Sequence, residues 1–261
     1  MKKIKSKYLI FNILIFLPSF ILAQENIFSD INKYFSKKEK ITFENALEYQ
    51  NAFYKKILPD SVIDFSKINV SVITNERVYE FRSLIRKNSP GFYSSSERKL
   101  VIFKVEKTKN AFMKTIFHEL SHAILHLYSD TVFYDIPSWL NEGLADYLEE
   151  MTYNSKKIVH KENTHWIARV KTLIELRDFD FVDFVDWDYQ RFSKESFSQE
   201  GYGYAVGYCM VLFLMKKDEI AAYSLFRSLI EEQKSTTEIF DKYYKGGFSQ
   251  FEKDFIKEYS D

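Results

Sequence analysis

The sequence predicts an α+β chain, with a small mixed sheet lobe followed by a mainly helical C-terminal lobe. Three observations carry that expectation. Residues 69–74 (NVSVIT) and 99–105 (KLVIFKV) are short, β-branched and apolar, as strands are. From Trp166 onward the apolar residues recur at helical spacing. Only 7 Gly and 4 Pro stand against 18% aromatic residues, so breakers are few and the core is expected to be packed with rings.

Residues 1–23 carry lysines at 2, 3, 5 and 7, an apolar run over 8–22 and a cleavage point at Ala23-Gln24. That pattern predicts a secretory signal peptide, with a run short for a membrane span. No cysteine follows the run, so a lipoprotein anchor is excluded; an uncleaved anchor is the alternative. The expected protein is therefore exported, secreted or periplasmic, with no stable membrane insertion after cleavage. Residues 24–39 are polar and read as a loose lead-in. Thr42 is placed to cap a helix reaching about residue 58, with Phe43, Ala46, Leu47, Phe53, Tyr54 and Ile57 at helical spacing and Pro59 as its stop. After the first strand, residues 75–87 read as a helix. Residues 92–95 and 99–105 flank Ser96-Glu97-Arg98, which predicts a hairpin.

A helix is next expected over about 109–127, a stretch without Gly or Pro whose apolar residues Phe112, Ile116, Leu120, Ala123, Ile124 and Leu127 follow a helical period. Residues 129–136 are long enough to turn the chain back. Pro137 suits the first turn of a second helix, 138 to about 151. The remaining helices are expected at about 163–177, 203–216, 219–232, 235–244 and 248–259, with a turn at Gly246-Gly247. The organisation is thus one domain over 24–261: a sheet-containing part at about 60–108, paired helices at about 109–151, and a helical lobe at about 163–261.

The paired helices carry the chemistry. His118-Glu119-Leu120-Ser121-His122 is an HExxH string, and Trp139-Leu140-Asn141-Glu142-Gly143-Leu144-Ala145-Asp146 follows on the second helix. Two histidines four apart are offset by only about 40°, so both rings can grip one ion. Imidazole suits Zn²⁺, and catalytic zinc sites use three protein ligands with one open position. His118, His122 and Glu142 supply that set, and Glu119 lies near the same face as a general base. Asp146, one turn beyond Glu142, can accept the second N–H of a ligand histidine, which fixes its tautomer. His126 continues the histidine series, but it lies about 12 Å along the axis from His118 and cannot close the same tetrahedron. The motif that uses a third histidine needs a glycine turn, and Leu125 stands there. His126 is therefore a packing or supporting residue. His160 and His165 lack ligand spacing. The chain reads as a metal-dependent hydrolase.

HELSH followed by PSWLNEGLADYLEE resembles the gluzincin zinc metallopeptidases, and within them the peptidase-MA-like group; NEGxA is also similar to the aminopeptidase branch. The resemblance covers about residue 69 to the C-terminus, with only 118–146 specific. It implies a zincin-like fold, zinc on His118, His122 and Glu142, Glu119 as base and proton shuttle, and a peptide or protein substrate. In thermolysin-like relatives an aspartate four residues after the ligand glutamate supports a zinc histidine, which maps onto Asp146. Tyr204-Ala205-Val206-Gly207 is similar to the Y-x-x-G segment whose tyrosine steadies the oxyanion; Tyr204 matches it, with Tyr202 and Tyr208 as competitors. On a helix starting near Gly203, Tyr202 would fall in the preceding loop and Gly207 would let that helix approach the zinc helix. The resemblance further implies an edge strand above the metal, here 99–105, although an ordinary sheet strand fits those residues equally. The branch's G-x-M-E-N glutamate, which holds a free amino terminus, has no counterpart in Gly91-Phe92-Tyr93-Ser94, so an exopeptidase is disfavoured.

Charge and cysteine set the remaining bounds. With 37 acidic and 37 basic residues, nothing favours nucleic acid or an anionic membrane surface. A single cysteine, Cys209, rules out an internal disulfide and reads as a core residue. Two rival classes remain: a zinc hydrolase acting on a non-protein substrate, and a binding protein that retains the metal without catalysis. A retained base, Glu119, argues against the second.

Overall fold

The computed structural model describes residues 30–260, apart from 62, 87–88, 154–157, 177–179 and 199–200. The expected signal peptide lies outside the described residues. No described helix is long and apolar enough to cross a membrane.

After a helical turn at 30–34, the chain forms α1 (Lys37–Ile57), β1 (Asn69–Ile73), α2 (Glu76–Arg86), β2 (Gly91–Ser94) and β3 (Lys99–Phe103). The pair α3 (Phe112–Ser129) and α4 (Ser138–Glu149) follows, joined by a 3-10 segment at Asp130–Asp135. Then come a two-stranded ladder of β4 (Met151–Thr152) and β5 (Val159–His160), and seven helices among the described residues: α5 (Thr164–Glu175), α6 (Phe181–Val185), α7 (Tyr189–Ser198), α8 (Tyr202–Lys217), α9 (Glu219–Glu231), α10 (Thr236–Tyr243) and α11 (Gly247–Ser260). The fold is α+β and mostly helical, with a small sheet.

α1 starts earlier than Thr42. Ser36 accepts from the Glu39 N–H while the Glu39 carboxylate accepts from the Ser36 N–H, a reciprocal cap that commits the polar segment 37–41 to helix. That pairing is the reason the lead-in is shorter than expected. Asn75 caps α2 from one side only, its side-chain oxygen accepting from the N–H groups of Arg77 and Val78.

The sheet is mixed, in the order β1-β3-β2, with β1 parallel and β2 antiparallel to β3. The strand at 99–105, which the resemblance put at the edge and which also read as an ordinary sheet strand, is the centre, because β1 takes one side and the hairpin partner takes the other. β2 is the edge beside α3. Alternation along β3 serves two cores: Leu100 and Ile102 face the main core, whereas Val101 and Phe103 pack with Tyr79 of α2. Burying Leu100 and Ile102 completely contributes about 1.5–3 kcal/mol each.

One continuous core runs from Ile31 to Tyr259, so the sheet and the helical lobe share an interior. Its axis is α8. From Tyr202 to Leu214 every residue except Tyr204 is buried, which is how a helix apolar on all sides must sit. α4 lies along α8, and their contact depends on two glycines. A Cβ on Gly143 would overlap the Gly207 carbonyl, and one on Gly207 would stand 2.7 Å from the Trp139 carbonyl oxygen. Gly207 therefore brings α8 against the Glu142 helix, not against α3 as the sequence suggested. Gly246 and Gly247 form the expected turn, with φ of 92° and 74°. Cys209 is fully buried, as expected of a core residue.

Candidate metal centre

α3 and α4 bring His118, His122 and Glu142 to one point. The two Nε2 atoms are 3.1 Å apart, and Glu142 Oε2 lies 3.3 Å from His118 Nε2 and 3.5 Å from His122 Nε2. Donors held at about 2.0–2.1 Å around one tetrahedral ion stand about 3.3 Å from each other, so the set fits a metal ion. The hydrogen bonds behind the rings give the same answer. His118 Nδ1 lies 3.0 Å from Asp146 Oδ1, and His122 Nδ1 lies 2.8 Å from Asn141 Oδ1. With those N–H groups committed to oxygen acceptors, both Nε2 lone pairs point at a third lone pair from Glu142. Such a convergence is repulsive without a cation between the donors.

The electrostatics express the same demand for positive charge. Burial opposes ionisation of all three residues. Even so, Asp146, Glu142 and Glu149 hold the His118 imidazole well above its ordinary range, and Glu142 raises that of His122. The two imidazoles in turn hold Glu142 below the carboxylate range. Burial pushes Asp146 up against the pull of His118.

Of the expected site residues, the structure brings His118, Glu119, His122, Glu142 and Tyr204 together along one cleft of about 670 Å³, with Asp146 directly behind His118. Tyr204 is the half-buried exception on α8. The neighbouring Glu142 carboxylate, followed by burial, raises its pKa and keeps its hydroxyl protonated as a donor. Its competitors are engaged elsewhere. Tyr202 is the first residue of α8 rather than part of a loop, buried and stacked on Trp187 at 5.4 Å. The Tyr208 hydroxyl accepts from the Asn163 N–H at 2.8 Å and lies 3.4 Å from His160 Nε2.

His126 is not part of the donor set. It is buried, with its ring 4.5 Å from that of Phe133 and its Nδ1 2.8 Å from the Tyr93 hydroxyl. His160 stacks on Tyr147 at 4.4 Å.

Three participants escaped the sequence reading. Asn141 immediately precedes Glu142, and its position between two motif residues was the available signal. Glu149 adds a second carboxylate oxygen 3.4 Å from His118 Nδ1, at a further i+3 step from Asp146. Tyr93 of β2 donates its N–H to Glu119 Oε2 at 2.8 Å, a contact between distant segments that no local pattern announces. The opposite wall of the cleft comes from the α6–α7 junction, Val185 to Tyr189, and from Lys234 to Thr236 at the start of α10.

Residues 112–235 match the profile of a family described as protein of unknown function, DUF1570. That stretch runs from the first residue of α3 to the Ser235 cap of α10, so it contains the donor set, Asp146 and Tyr204. No curated protein matches the chain significantly.

Proposed function

We propose that the chain is an exported zinc-dependent metallopeptidase of the gluzincin type, with a zincin-like fold. The observation that carries this reading is the convergence of three donor atoms at 3.1–3.5 Å beside a fourth, non-donor carboxylate, Glu119, which faces the same cleft. His118, His122 and Glu142 would hold the zinc. When bound, it supplies Lewis acidity toward the scissile carbonyl and lowers the pKa of a coordinated water toward 7.

The protein's own residues do the rest. Asp146 and Asn141 fix the two imidazoles through their Nδ1 atoms. Glu119 accepts the proton of the attacking water and hands it to the amine nitrogen that leaves. The Tyr204 hydroxyl donates to the carbonyl oxygen as negative charge grows there. The edge strand β2 and the aromatic residues Phe133, Tyr134 and Trp187 line a cleft of about 670 Å³, room for an extended peptide.

The test is proteome-derived peptide cleavage by the zinc-loaded chain against its Glu119→Gln variant. Glu119→Gln should keep about one zinc per chain and lose about 10²–10⁴ in kcat. A zinc-loaded wild type that cleaves no peptide in the library would instead favour a non-protein substrate.

A further inference from the structure

Tyr93 is bonded to α3 at two places. Its main-chain N–H donates to Glu119 Oε2 at 2.8 Å, and its hydroxyl lies 2.8 Å from His126 Nδ1. Glu119 and His126 are seven residues apart, two helical turns, so they share a face and are separated by about 10 Å along the axis. A single tyrosine of the edge strand thus lies along α3 and touches it at both ends. The histidine that continues the HExxH series without binding the metal has a place in this arrangement.

The far end of the contact is fixed. His126 is 5% exposed, wedged against the Phe133 ring at 4.5 Å and met edge-on by the rings of Tyr93 at 5.8 Å and Tyr134 at 6.1 Å. Its imidazole is thus packed among three rings. The hairpin has a second tether, Arg98 to Asp130 at 2.6 Å, but that pair is largely solvated and contributes little. The bond to His126 is thus a partly buried side-chain tie between β2 and α3, beside the ladder that joins β2 to β3.

We propose that Tyr93 is a positioning residue for Glu119: the Tyr93–His126 bond sets the height of β2 over α3, and the Tyr93 N–H then holds one oxygen of Glu119. With Oε2 occupied by the amide, Oε1 is the oxygen that takes the proton. A carboxylate on a flexible side chain is thereby held in one orientation toward the cleft. Misplacing a reacting group by about 1 Å can cost about 10²-fold in rate, so a small lift of β2 is enough to matter. The catalytic consequence rests on the peptidase reading; the structural coupling does not.

The two parts are tested in one series on the zinc-loaded full chain: wild type, Tyr93→Phe, His126→Leu and His126→Gln. Amide hydrogen exchange at Tyr93 is measured alongside zinc content and peptide hydrolysis. Removing the far bond by Tyr93→Phe or His126→Leu should speed exchange of the Tyr93 amide about tenfold, the worth of one hydrogen bond. The same variants should lower kcat about tenfold with KM and zinc content little changed. His126→Gln, which keeps an acceptor for the hydroxyl, should recover most of both losses. Tyr93→Phe keeps the ring and decides the matter alone if His126→Leu does not fold. Unchanged Tyr93 exchange in Tyr93→Phe overturns the proposal, whatever happens to the rate. The predicted exchange pattern in a chain that cleaves no peptide would uphold the coupling and count against the peptidase reading instead.

Discussion

The two walls of the cleft are built on different principles. One wall is α3 and α4, where every functional side chain sits at a fixed helical offset. Its donor atoms converge to 3.1–3.5 Å, and Asn141, Asp146 and Glu149 support the rings from behind. The rest of the lining is assembled from segments distant in sequence: the β2 edge, the α6–α7 junction, the start of α10 and one tyrosine of α8. It is aromatic and partly solvated, with Tyr189 65% exposed. On the proposed function, the difference follows from what each set of residues does. Metal geometry tolerates errors of a few tenths of an ångström, which regular helices with packed supports can guarantee. Contact with a substrate tolerates more variation, and loop-borne aromatic rings serve it.

Breaking the first wall should remove the metal. Glu142→Ala is expected to abolish stoichiometric zinc, as are His118→Ala and His122→Ala, because two remaining donors cannot close a catalytic site. His126→Ala, equally a histidine of α3, should leave zinc at about one per chain, since its ring contacts Tyr93 and Phe133 instead. Elemental analysis of the purified variants separates the two outcomes. Full zinc in Glu142→Ala, or none in His126→Ala, would mean that the donor set is wrong.

Breaking the second wall should spare the metal and slow the reaction. Tyr204→Phe removes a hydroxyl that is kept protonated beside Glu142, and should lower kcat by about 10²–10³ with little change in KM. Tyr208→Phe should leave kcat near wild type, because that hydroxyl, one turn further along α8, is held by Asn163 and His160. If the rate loss followed Tyr208 instead, the oxyanion partner would lie one helical turn away from the proposed one.

The same contrast explains what could be read in the sequence. The α3–α4 pair was legible because its residues obey short-range periodicity: HExxH and NExxxD each specify one face of a helix. The α+β class was legible from the β-branched runs and the C-terminal helical pattern. The centre of the sheet was not, because the parallel pairing of β1 with β3 spans the intervening helix and leaves no local signature. α6 and α7 escaped because they are short and held by caps: Asp180 accepts from the Asp183 N–H, and Asp188 from the Arg191 N–H. The bond from Tyr93 to Glu119 joins a strand to a helix, and only the folded chain brings them together.

The smallest expected effect distinguishes the two supports inside the first wall. His118 is backed by the Asp146 carboxylate at 3.0 Å, and His122 by the Asn141 amide oxygen at 2.8 Å. A carboxylate bond is charge-assisted and about twice as strong as a neutral one, so the two supports should not be equal. It also raises the basicity of the ligand nitrogen on the far side of the ring, which an amide does only weakly. Asp146→Asn should therefore weaken zinc by about 10–100-fold, and Asn141→Ala by less than that. Glu149, 3.4 Å from the same Nδ1, can take over part of the Asp146 role. Asp146→Asn combined with Glu149→Gln should then exceed the sum of the single losses. Chelator competition reads each affinity directly. A larger loss in Asn141→Ala than in Asp146→Asn would mean that ring orientation, not ligand basicity, is what the supports supply.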